Sequence, residues 1–170
     1  TLFPYTTLFR SMIKNIQSRL TPISHEYPSC DECYASLLIY TGNTHPNEIS
    51  IHLELEPTSI NIKGDEIITL SGKKRYAKNS YWMLSSENLV NSKDIREHLD
   101  WLLHKLGPKS SNIAKLQALE NISMGIDCTW RSLNWHGGPT LWPEQMKIMA
   151  NLGLECSFDI YFVGNEDGNL

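Results

Sequence analysis

Between Ile122 and Arg131 apolar and polar residues alternate almost without a break. Ile122, Met124, Ile126, Cys128 and Trp130 take the even positions, and Ser123, Gly125, Asp127, Thr129 and Arg131 the odd ones. The pattern returns at Cys156 to Val163, where Cys156, Phe158, Ile160 and Phe162 alternate with Ser157, Asp159, Tyr161 and Val163. Successive side chains of a strand point to opposite faces, so a period of two marks a strand with one apolar and one mostly polar side. Two such strands call for a sheet that is covered on one face and open on the other. A loop, Leu133 to Trp142, containing Gly137-Gly138-Pro139, and a helix starting at Pro143 join them.

The rest of the chain supplies the cover. Tyr34 to Tyr40 and Tyr81 to Ser86 read as two further strands. A helix is predicted from Pro46, which suits a first turn because its missing N–H would be unpaired there anyway; it runs to about Leu55 with Ile49 and Leu53 inward. Ser92 is the expected cap of a second helix, in which Ile95, Leu99, Leu102, Leu103 and Leu106 recur at helical spacing. Gly107-Pro108 should stop it, and a third helix from Ser110 or Ser111 carries Ile113, Leu116 and Leu119. Ser59 to Ser80 is irregular and rich in basic residues (Lys63, Lys73, Lys74, Arg75, Lys78), with a short hairpin at Ser71-Gly72. The string Ile49-x-x-x-Leu53-x-Leu55-Glu56 recurs as Ile148-x-x-x-Leu152-x-Leu154-Glu155, which suggests two strand–helix–strand units. The expected fold is α+β: a two-layer sandwich, its mostly antiparallel four-stranded sheet carrying helices on one face, in a modified ferredoxin-like arrangement.

At 170 residues the chain is long enough for one well-cored domain, placed at residues 34–163. Residues 12–33, broken by Pro22 and Pro28, read as a loosely ordered N-terminal segment, and residues 164–170 as a flexible tail. Thr1 to Ser11 resembles the translated read-through of a sequencing adapter, with Met12 a natural start. A net charge of −4 argues against non-specific nucleic-acid binding, which needs a basic footprint. No apolar run approaches the ~20 residues that span a bilayer, and with no export signal read, a cytoplasmic location is expected.

The motifs of familiar chemistries are missing. Ser71-Gly72-Lys73-Lys74 lacks the glycine framework of a phosphate loop. His98 and His104 lie six apart on one helix, on different faces, and both read as helix-surface residues; His136 reads as a solvated loop histidine. Cys30-Asp31-Glu32-Cys33 is a single CxxC without a second pair, and Cys128 and Cys156 fall on apolar strand faces. No metal, cofactor or catalytic residue is therefore assigned. The candidate site is the polar strand face, Asp127, Thr129, Arg131, Asp159 and Tyr161, joined from the other strands by Tyr40 and Trp82. Trp135 and Trp142 flank the glycine loop as possible exposed interface aromatics. On a merely solvated face Arg131 should pair with Asp127 or Asp159.

One resemblance covers nearly the whole domain. Tyr34-Ala35-Ser36-Leu37-Leu38-Ile39-Tyr40, Pro46-x-Glu48-Ile49, Leu55-Glu56-Pro57-Thr58 and Lys63-Gly64 follow one another as in a widespread bacterial family, domain of unknown function 4279. Trp82-x-Leu84-x-Ser86, Leu99-Asp100-x-Leu102-Leu103, Leu152-Gly153-Leu154 and Asp159-Ile160-Tyr161 continue the match. The resemblance implies a compact α+β domain and no activity. The expected role is a non-catalytic binding module, immunity-like or regulatory, with a protein partner. The alternative is an enzyme or sequestering protein for a small anionic, nucleotide-like ligand held by Arg131 and the basic Lys63–Lys78 stretch.

Overall fold

The computed structural model describes residues 19–69 and 71–164; the stretch Thr1 to Ser11 and all of the tail but Gly164 lie outside them. Strand β1 (Cys30–Tyr40) is the middle of the sheet. On one side it pairs antiparallel with β5 (Tyr81–Ser85), and β5 with the short β2 (Ser59–Asn61). On the other it pairs antiparallel with β6 (Ser123–Ser132), and β6 runs parallel to β7 (Cys156–Phe162). Strands β3 (Glu66–Ile68) and β4 (Lys74–Tyr76) form a separate exposed hairpin at the expected basic turn.

The sheet is thus mixed and five-stranded, in the order β2-β5-β1-β6-β7, where a mostly antiparallel four-stranded sheet was expected. The repeat Ile49…Glu56/Ile148…Glu155 misled because only its second copy closes a unit. There α4 (Pro143–Asn151) carries the chain over the sheet face and returns it parallel. After α1 (Pro46–Leu53) the chain instead goes to β2 at the far edge, and β5, not β2, becomes the neighbour of β1. A ferredoxin-like arrangement would need both units closed.

All four α-helices among the described residues lie over one face. Ala35, Leu37 and Ile39, Trp82 and Leu84, and Ile126, Cys128 and Trp130 project from it and are buried. Ile49 and Leu53 of α1, the leucine stripe of α2 (Ile95–Leu106), Ile113 and Leu116 of α3 (Ser110–Gln117) and Met149 of α4 close the core over them. The cap of α2 is Asp94, whose carboxylate accepts from the Arg96 N–H at 3.2 Å; Ser92 lies two residues out and accepts from the Asp94 N–H. Gly107 does not stop the chain but begins a 3₁₀ turn, Gly107–Lys109, leading straight into α3.

Strand β1 begins at Cys30, inside the segment read as loose, and carries a bulge between Cys30 and Glu32. Residues three apart on a regular strand face opposite ways; the extra residue, Asp31, lets Cys30 and Cys33 both turn into the core. The chain before it is pinned as well. Buried Arg96 pairs with buried Asp94 and donates to the carbonyls of Thr21 (2.7 Å) and Pro22 (2.9 Å). Asp94 also accepts from the Ser24 N–H, and the Tyr27 ring stands edge-on to Trp130 at 5.3 Å.

Candidate functional site

The register lines the polar side chains up in rows across the open face. Ser85, Ser36, Asp127 and Ser157 occupy one row on four adjacent strands. Its members are tied in pairs, Ser36 Oγ to Ser85 Oγ at 2.8 Å and Ser157 Oγ to Asp127 Oδ1 at 3.0 Å. The next row is Tyr34, Thr129 and Asp159, and the next Glu32, Arg131 and Tyr161. Asp127, Thr129, Arg131, Asp159 and Tyr161 therefore do share one face, opposite Ile126, Cys128 and Phe158. Ile160 sits on the apolar side yet is 59% exposed, because β7 is an edge strand that the helices only partly cover.

Three expected site residues are elsewhere. Trp82 projects into the core, fully buried, with its indole N–H on Ser50 Oγ at 3.0 Å; its register with Ile39 puts it on the helix side. Trp142 is buried at the N-terminus of α4 beneath the guanidinium groups of Arg19 and Arg96. Tyr40 is on the open face but eight residues along β1 from Glu32, roughly 26 Å at the strand rise. It borders a separate hollow of about 340 Å³ with Lys63, Asn43, Asn79 and Asn121. Trp135 is exposed as expected (76%) and stacks on Phe162 at 3.7 Å between ring centres.

At the Arg131 end the face runs into a cleft of about 640 Å³, walled by the start of β1 and the loop from Glu87 to Lys93. Glu26, Asp31, Glu32 and Glu87 line it; its cations are Arg131 and Lys93, with His25 beside them. Arg131 Nε lies 3.6 Å from Glu32 and 4.0 Å from Asp31, not against Asp127 or Asp159. The bulge is the reason, since it gathers two consecutive carboxylates on the strand that faces Arg131. Lys93 is 3.8 Å from Glu26, and His25 Nδ1 is 2.8 Å from Glu97. Both cations of the cleft thus already face carboxylates.

The floor holds a histidine that reading by helix surface misplaced. His98 is buried, with Nδ1 2.8 Å from Ser86 Oγ and Nε2 2.8 Å from the Ser92 carbonyl. A carbonyl can only accept, so the Nε2 proton is on the ring and points at it. Burial lowers the pKa of His98, against the opposing pull of the Ser92 carbonyl and of Glu97 and Asp94. Ser86 is fully buried and also accepts from the Ala35 N–H at 2.9 Å, so this serine–histidine contact offers no atom to a substrate. Position 98 follows Ile95 by three and precedes Leu102 by four, which is the signal that could have placed it inward. The carboxylates at 31 and 32 had no such signal, because a bulge leaves no period.

Cys33 is held well above the usual thiol range by its hydrogen bond with Cys30 and by burial, and Cys128 by its contact with Cys156 (3.8 Å between sulfurs) and burial. Among the described residues no group of three or more His, Cys, Asp or Glu is arranged to hold a metal, and no helix is long and apolar enough to cross a membrane.

No curated protein and no solved structure matches the chain. A family model described as a domain of unknown function (DUF4279) matches residues 31–163, from the bulge of β1 to the end of β7, which takes in the whole sheet and its helices. The chain belongs to the DUF4279 family.

Proposed function

We propose that the chain is a non-catalytic binding module, immunity-like or regulatory in role, that receives a basic surface of a protein partner across the open sheet face and its cleft. The observation that carries this is the placement of charge. Asp31, Glu32 and Glu87 line the cleft, Asp159 and Asp127 follow in the next two rows of the polar face, and the cations of the cleft are engaged by carboxylates. Such a surface steers and orients a positively charged partner. The small-anion alternative has weaker support, because Arg131 is flanked by two carboxylates and Lys63 lies by Tyr40 at the other end of β1.

Arg131→Ala separates the two readings by sign. With a basic partner identified by pull-down, removing Arg131 exposes two carboxylates and should leave affinity unchanged or raise it; reversing Glu32 and Asp159 together to Lys should reduce affinity at least tenfold with the melting temperature preserved. A nucleotide-like anion bound through Arg131 would instead lose affinity on Arg131→Ala by roughly 2 kcal/mol or more, as for a hot spot. That loss would overturn the proposal.

A further inference from the structure

The two edges of the sheet are built differently. The β2 edge is three residues long, and the chain leaves it for Lys63 and Gly64. Natural sheets blunt their edges this way, with short strands, lysines, prolines or bulges, because unpaired N–H and C=O groups recruit another strand. The β7 edge has none of these devices. It runs seven residues, CSFDIYF, with Asp159 its single charge and no proline or lysine. Ile160 and Tyr161 are exposed, and exposed Trp135 stacks beside them on Phe162.

The backbone settles which groups are without a partner among the described residues. Glu155 C=O accepts from Ile126 N–H and Val163 N–H donates to Ser132 C=O, each at 2.9 Å. Odd-numbered residues of β7 therefore bond to β6, and the N–H and C=O groups of Cys156, Phe158, Ile160 and Phe162 point outward. A second β7 laid antiparallel must bring even residues opposite even ones. Centring the pair on Asp159 would set two carboxylates directly across from each other, which is destabilising. Centring it on Tyr161 would face each Asp159 with Val163. Centring it on Phe158 would leave the exposed Ile160–Phe162 end at the margin, with Glu155 opposite Tyr161. Centring it on Ile160 places Ile160 against its copy, Phe158 against Phe162 and Asp159 against Tyr161. Each carboxylate then meets a phenol, and the most exposed apolar residues of the edge become its middle.

We propose that two copies of this chain pair through β7, antiparallel about a twofold axis at Ile160, to form one continuous ten-stranded sheet whose two open faces lie on the same side. The strand is self-complementary in side chains, charge and hydrogen-bond phase at this register. Sedimentation velocity should show the wild type as a dimer at micromolar concentration, and Ile160→Lys, which places two ammonium groups on the axis, as a monomer that still melts cooperatively. A monomeric wild type, the result expected if the edge takes a different extended chain or none, overturns the proposal, as does a folded Ile160→Lys that remains dimeric. Should Ile160→Lys fail to fold, the pair Ile160→Cys with Cys156→Ser decides. Opposed residues of a hydrogen-bonded pair have Cα atoms about 5.5 Å apart, within disulfide reach. Mild oxidation should link most of this variant into a covalent dimer while Cys156→Ser alone stays unlinked; no linkage overturns the register and the proposal.

Discussion

At the scale of single residues, the most informative position is His98. A neutral imidazole buried between Ser86 and Ser92 makes stability depend on pH in one direction. Above the unfolded pKa of about 6.5 both states are neutral and His98 contributes no slope. As pH falls below that value the unfolded chain takes up a proton that the fold, with its lowered pKa, does not. Stability should then fall with pH until the folded pKa is reached, by at most about 1.4 kcal/mol per pH unit. Urea midpoints at pH 7.5 and 5.5 should diverge for the wild type and diverge less for His98→Gln, with Asp100, whose pKa burial raises, as the common background. The same positions show what residue types reveal. Asp127, Thr129 and Asp159 could be placed by counting in twos, because a strand has only two sides. Trp82 could not be placed from its own short strand: in Tyr81–Ser85 apolar residues occupy consecutive positions, and such a run shows no side. Trp142 looked exposed for standing beside glycines, whereas the two guanidinium groups over its ring come from Arg19 and Arg96, distant in sequence.

At the scale of elements, every long strand and helix expected from the sequence is present, and the differences lie at their ends: α1 closes at Leu53 rather than Leu55, and α3 at Gln117, short of exposed Leu119. Strand β1 starts four residues earlier than Tyr34, at a bulge, and α2 is capped by Asp94 rather than Ser92. Both starts are fixed by tertiary contacts. The Asp94 carboxylate is at once the cap of α2, the partner of Arg96 and the acceptor for Ser24. Arg96 in turn holds the Thr21 and Pro22 carbonyls. Neither an arginine fully buried on a helix nor the strapping of residues 19–29 follows from periodicity, which treats Arg96 as a solvent position. Removing one member of a buried pair leaves the other charge unpaired, at a cost of about 3–5 kcal/mol. Arg96→Ala should therefore lower the unfolding free energy from denaturant titration by that amount, and proteolysis should begin within residues 19–29. A loss below about 1 kcal/mol, the range of a surface pair, would show that the strap does not depend on Arg96.

At the scale of the whole molecule, the α+β class and the one-sided cover followed from the alternating strands, while the order of strands did not. Pairing partners are set by which faces and edges meet in space, and the two copies of the Ile-x-x-x-Leu-x-Leu-Glu string look alike although one leads to a sheet edge and the other to a parallel neighbour. The position of β1 has a consequence in time. It is the first strand of the sheet in chain order and also the middle one, with Cys30 paired to Ser132 across most of the sequence between them. A nascent chain that has emerged as far as Asn121 holds β1 with one flank bare and the core short of Ile126, Cys128 and Trp130. A chain truncated after Asn121 should accordingly melt without a cooperative transition by circular dichroism; a sharp melt would place the folding nucleus in β1, β5 and the helices alone. Contacts so distant in sequence close slowly, so synthesis leaves an interval in which half the apolar face of β1 is without cover. During that interval the growing chain is a natural client for chaperones, and the arrival of residues 122–163 decides whether it folds or aggregates.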